Sequence, residues 1–243
     1  MIHLLSASIN ERHRGWSPPL PPDGRKEAMI LYGSTMSPFV RKVAAYAAEK
    51  GIDIDLQPTG FPNPAPAFRA ASPFGKMPAL ADGDYMLADS SAIIHYLEAK
   101  YPEPEMIPTD PRERGRVIWF DEFADTILFA CGGKIFFNKI VAPRFLGREG
   151  DLQAAEIAER DELPPLLDYL EGAIPDSNYL VGDRLTLADI SVAGPFANLG
   201  HCNVAIDAGR YPKIKAYVAK ILSRPSFAQY VEREAAYLTR ESA

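Results

Sequence analysis

The chain has 243 residues, 47% of them apolar and 24% charged, a balance typical of a folded globular protein and far from disordered or collagen-like compositions. At roughly 150 residues per domain the length fits one large or two small domains. A net charge of -6 has the wrong sign for a chain whose main partner is nucleic acid or an anionic membrane surface. Cys131 and Cys202, the only cysteines, form no CxxC or Cys/His spacing, which points to a reducing compartment and to no metal site. No apolar run reaches the ~18 residues of a membrane span, so the protein is expected in the cytoplasm without a membrane partner.

Residues 1–28, including the proline-rich SPPLPPDGRKEA, lack a hydrophobic period and read as an extension outside the fold. Met29-Ile30-Leu31-Tyr32 reads as a buried strand, followed by the small polar turn Gly33 to Met36. Ser37-Pro38 then places an N-cap hydroxyl before a proline suited to the first helical position. A helix is predicted from Pro38, with Val40, Val43, Ala44 and Ala47 at helical spacing and Gly51 as its C-terminal cap. Ile52 to Leu56 alternates apolar and acidic residues, as a half-buried strand does. A loop with Pro58, Pro62, Pro64 and Pro66 comes next. Met77 to Leu80 and Tyr85 to Leu87 then flank the hairpin signal Asp82-Gly83. Pro78 fits a strand poorly and reads as a cis proline in the turn before it. Asp89 and Ser90 precede a capped helix through Leu97.

This βαβ–ββα half spans residues 29–101. A linker over 102–110, within the proline-rich YPEPEMIPTDP, leads to long amphipathic stretches over 111–243. In that second half Thr186-Leu187-Ala188-Asp189 predicts a capping box, with Leu185 and Ile190 placed as a hydrophobic staple. Pro164-Pro165 predicts a break or kink in the helix from about Leu152 to Leu170. The neighbours His201 and Cys202 lack a third orienting group and read as structural.

Four segments together resemble the glutathione S-transferase superfamily. They are LYGSTMSPFVRKV (Leu31 to Val43), SPFGKMPAL (Ser72 to Leu80), LADSSAIIHYL (Leu87 to Leu97) and the box at Thr186–Asp189. The first looks like the β1 to α1 corner of serine-type members of the phi and tau classes. The resemblance implies a thioredoxin-like domain (βαβββα) followed by an all-helical domain, over about Met29 to Tyr237. The missing CxxC and the helical second half set the chain apart from other thioredoxin relatives.

The activity so implied is transfer of glutathione, a co-substrate bound as thiolate, to a small hydrophobic electrophile. A thiol with a pKa near 8.5 is only about 3% ionised at pH 7, so the site must stabilise an anion. Ser37 fits that catalytic role, because a hydroxyl at a helix N-terminus donates to sulfur while the helix dipole adds its own field. Tyr32 is the competitor, with Ser34 and Thr35 behind it. Asp89 and Ser90 match the family's pair for the γ-glutamyl end. Met77, just before Pro78, matches the residue whose backbone pairs with the cysteinyl unit, and Lys76 a position that reaches the glycine carboxylate. The electrophile pocket in this family lies between Met36 and the helix after Pro111, which makes Trp119, Phe120, Phe123, Ile127 and Phe136 candidates. The resemblance also implies a two-fold homodimer. Glutathione-dependent ether cleavage, of the β-etherase kind, and a non-catalytic interaction module stand as alternatives.

Overall fold

The structure, a computed structural model, describes residues 28–59 and 63–240. The expected extension therefore lies, apart from Ala28, outside the described residues, as does Pro62. A four-stranded sheet is built from β1 (Met29–Tyr32), β2 (Ile54–Gln57), β3 (Ala79–Asp82) and β4 (Tyr85–Ala88) in the order β2-β1-β3-β4. β1 pairs parallel with β2 and antiparallel with β3, and β3 pairs antiparallel with β4. The parallel pair needs a crossover, and α1 (Pro38–Glu49) supplies it; Gly51, at φ +65°, lets the chain leave that helix in the left-handed conformation.

The two faces of the sheet bury different partners because β-strand side chains alternate. Leu31 and Leu80 join α1 and α3 (Ser90–Lys100) in the main core, while Tyr32, Ala79 and Ala81 face Phe68 and Ala71. Those last two residues belong to α2 (Pro66–Ala71), a short helix within the segment read as a proline loop. Pro66 stands at its first turn, so the proline that looked like a breaker is a helix start. The fold remains the expected thioredoxin-like domain with this one helix added.

The remaining helices form the second domain. α4 (Pro111–Phe145) contains two π-helical turns, Phe123–Leu128 and Phe137–Val141, and α5 covers 152–173. They are followed by α6 (Leu187–His201), α7 (Pro212–Leu222) and α8 (Pro225–Arg240). By length and mean hydropathy α4 is long enough to cross a membrane, yet its Val117, Phe120, Phe123, Leu128 and Ile135 sit in one core continuous with that of the first domain. Of the expected break or kink at Pro164-Pro165, no break occurs. A π-helical turn, Ala158–Glu162, shifts the hydrogen-bond register immediately before the two prolines and lets the helix run on. The capping box at Thr186 is present, and Asp189 accepts from the backbone N–H groups of Thr186 at 2.9 Å and Leu180 at 2.8 Å.

Candidate active site

The sheet register brings the sequence-predicted residues to one place. Tyr32 pairs with Ala79, and Ala79 with Ala88, so the segments after β1, before β3 and after β4 leave from the same end of the sheet. Ser37, Met77-Pro78 and Asp89-Ser90 lie on those three segments.

Ser37 is the N-cap of α1, with Pro38 at the first helical position. Its backbone N–H donates to Ser34 O at 2.9 Å, and its carbonyl accepts from Arg41 N at 3.0 Å. Its side chain makes no capping hydrogen bond and is half-exposed, so the hydroxyl stands at the helix start uncommitted to the backbone. Gly33 makes the corner tight: it sits at φ +152°, and a Cβ there would lie 2.4 Å from Val40 Cγ2. Tyr32, by contrast, is only 6% exposed and packs its ring 6.2 Å from that of Phe68.

The Met77-Pro78 peptide bond is cis, as expected. The preceding loop is closed by Ser72, whose hydroxyl donates to Lys76 O at 2.6 Å, while the Lys76 side chain is exposed. Asp89 caps α3 by accepting from Ala92 N at 3.0 Å, and its own backbone is held at φ +83°, a conformation rare outside glycine. Ser90 is buried, with its hydroxyl 3.4 Å from Asp125 Oδ2.

Behind this pair lies a charged cluster that sequence reasoning missed. Lys42 Nζ donates to Asp121 Oδ1 at 2.9 Å, to Asp125 Oδ2 at 2.5 Å and to the Ser91 hydroxyl at 3.2 Å. Ser91 and Ser191 each donate to Asp121. Burial alone would raise the Asp121 carboxyl, but the Lys42 charge and these hydroxyls outweigh it and hold it below its ordinary value. Asp125 goes the other way: burial and the neighbouring Asp121 push it up against the pull of Lys42. One signal was available. α1 carries apolar or small residues on nearly every side, so a buried helix bearing Arg41 and Lys42 needs partners for both cations. Among the described residues no group of three or more His, Cys, Asp or Glu is placed to hold a metal ion.

Of the expected pocket residues, Phe120, Phe123 and Phe136 are core residues, whereas Trp119 and Ile127 are exposed. A pair closer to Ser37 was not foreseen: Phe39 meets Phe129 edge-to-face with ring centroids 4.5 Å apart, both half-buried.

Two family models match the chain, the glutathione S-transferase N-terminal domain over residues 31–105 and the C-terminal domain over 136–234. A glutathione S-transferase of Hyoscyamus muticus is 32% identical over 210 residues, covering 84% of this chain and 98% of the relative. The chain belongs to the glutathione S-transferase family. It is a transferase built on that family's fold. A glutathione S-transferase of Rhodospirillum rubrum superposes with a TM-score of 0.75 at 27% identity, covering 83% of this chain and 91% of that one. Glutathione S-transferase I of maize, solved in complex with an atrazine glutathione conjugate, gives a TM-score of 0.75 at 29% identity over 89% of this chain and all of its own.

Proposed function

We propose that this glutathione S-transferase ionises bound glutathione through the Ser37 hydroxyl and delivers the thiolate to a small hydrophobic electrophile. The observation that carries the reading is the state of Ser37: it occupies an N-cap position, yet its hydroxyl caps nothing. A serine present only to start the helix accepts a backbone N–H through its oxygen, a contribution of about 1 kcal/mol; this one does not, so the backbone does not fix its orientation and its O–H can turn to donate to a ligand. The positive end of α1 adds to the stabilisation of an anion there. Tyr32 is a poorer donor to the same ligand because its ring is buried in the cluster around Phe68 on the α2 side of the sheet.

In this reading residues 29–101 bind glutathione and 111–243, joined through 102–110, supply the second wall. Asp89 and Ser90 receive the γ-glutamyl end at the start of α3. Met77 pairs its backbone with the cysteinyl unit beside cis Pro78, and Lys76 attracts the glycine carboxylate. The acceptor rests against Met36, Phe39 and Phe129, an apolar wall that favours aryl or alkyl electrophiles; an ether-cleaving enzyme differs only in the group displaced. The protein works in the cytoplasm as a two-fold homodimer. Among the described residues the ring of Phe74, 90% exposed in the loop that carries Lys76, is the large apolar side chain with most to gain from a partner subunit.

Steady-state conjugation of glutathione to an aryl halide tests the assignment. Ser37→Ala is expected to lower kcat/KM by about 100-fold or more, the range for loss of one donor to a developing anion, with Tyr32→Phe within about twofold of wild type. A silent Ser37→Ala together with an inactive Tyr32→Phe overturns it.

A further inference from the structure

The corner loop ahead of Ser37 is held from the other domain. Arg41, one turn into α1 and fully buried, donates through Nη1 to Thr35 O at 2.9 Å and to Glu234 Oε2 at 2.5 Å. Its Nη2 donates to Gly194 O at 2.9 Å and to Asn198 Oδ1. Asn198 in turn donates through Nδ2 to Met36 O at 2.9 Å. His201 Nε2 lies 2.9 Å from the same Glu234 oxygen that receives Arg41. Gly194, Asn198 and His201 are spaced four and three residues apart and so share one face of α6, while Glu234 comes from α8. The two backbone carbonyls immediately before Ser37 are thus both bonded by side chains whose aim depends on the helical domain.

We infer that Glu234 is a positioning residue for thiolate formation, acting through Arg41 and Asn198 to fix the Thr35-Met36 backbone and with it the Ser37 hydroxyl. This rests on the Ser37 reading above. The local chemistry favours such a role over plain cohesion. Arg41 and Glu234 form a buried ion pair that leaves Arg41 Nε and Glu234 Oε1 without hydrogen-bond partners, an arrangement that apolar side chains of similar volume would improve upon for stability alone. What apolar replacements cannot do is direct a donor at each of two successive carbonyls. Glu234 also orders the pair: with its charge removed, Arg41 Nη1 meets at most a neutral amide oxygen, and Gly194, Asn198 and Thr35 compete more evenly for its donors. A loop carbonyl displaced by a few tenths of an ångström then carries Ser37 with it, since the two are separated by one or two peptide units.

The test is the ionisation of glutathione bound to the full chain, followed by thiolate ultraviolet absorbance, with thermal unfolding recorded alongside. Glu234→Gln keeps the shape of the side chain and removes its charge. It is expected to raise the bound-thiol pKa by about one unit, a tenfold smaller thiolate-to-thiol ratio. In a Ser37→Ala background the same substitution is expected to shift the pKa much less, because the route through Ser37 is already gone. Asn198→Ser removes the donor to Met36 O and is expected to act in the same direction; it decides the matter if Glu234→Gln does not fold. Variants that melt earlier but keep the wild-type thiol pKa overturn the positioning role. If Ser37→Ala itself leaves the thiol unshifted, the Ser37 reading fails first, and the inference falls with it.

Discussion

Single side chains decide most of what this molecule does, and they differ in how visible they are in the sequence. Ser37, Pro78, Asp89 and Ser90 could be picked out because each stands at a position that its immediate neighbours mark, a helix start or the turn before a strand, although the Ser90 hydroxyl finds Asp125 far along the chain. Arg41 and Lys42 could not be assigned, since their partners lie far along the chain at Asp121, Asp125, Asn198 and Glu234. Glu98 belongs to the same class. It accepts from Lys50 Nζ at 2.5 Å and from Tyr46 through one oxygen, and from the backbone N–H groups of Met106 and Ile107 through the other, pinning the linker to α3. Burial raises its carboxyl, but Lys50, Tyr46 and those N–H groups outweigh burial and hold it below its ordinary value. A depressed folded pKa means that the stabilisation is complete above the unfolded value, about 4.3 for Glu, and is lost as pH falls through the folded one. Glu98→Gln is therefore expected to lower stability at pH 7 and to lower it less at pH 3, by urea unfolding at both. An equal loss at the two pH values contradicts this account of Glu98.

Elements were legible where local rules agree, and misread where a proline admitted two meanings. β1, α1, β4 and α3 follow from periodicity and caps. Pro66, read as part of a loop, begins α2, and Pro164-Pro165, read as a break or kink, is passed without a break after a π-helical turn. In both places the outcome depends on what the surrounding backbone can donate and accept, which tertiary packing settles. The start of α6 is the opposite case, because its capping box is written locally and is then reinforced from outside. Asp189 serves Thr186 N and also Leu180 N, nine residues upstream, inside a core that excludes water. Asp189→Ala leaves two buried N–H groups without an acceptor and is expected to cost about 3 kcal/mol, against about 1 kcal/mol for Thr186→Ala. Chemical denaturation of the two variants provides the comparison; equal losses mean that the Leu180 contact contributes nothing.

At the scale of the whole molecule, one core crosses from the sheet into the helical domain, so neither half is an independent scaffold for the site. Composition and motif order announced the two architectures, but not that α6 and α8 hold the loop bearing Ser37, because helix packing across domains leaves no local pattern. The proposed homodimer belongs to this scale too. Phe74→Ser is expected to shift the mass measured at micromolar concentration from twice 26.7 kDa towards 26.7 kDa, and a wild type already monomeric there sinks the dimer.

In the proposed reaction a neutral hydroxyl at the start of α1 makes the thiolate. Ultraviolet titration of glutathione bound to the wild type, to Ser37→Ala and to Tyr32→Phe addresses it without knowledge of the electrophile. The wild-type thiol pKa is expected about two units below the free value of about 8.5, retained in Tyr32→Phe and returned towards that of the free thiol in Ser37→Ala. A depressed pKa that survives Ser37→Ala and disappears in Tyr32→Phe would contradict it and transfer the role to the phenol.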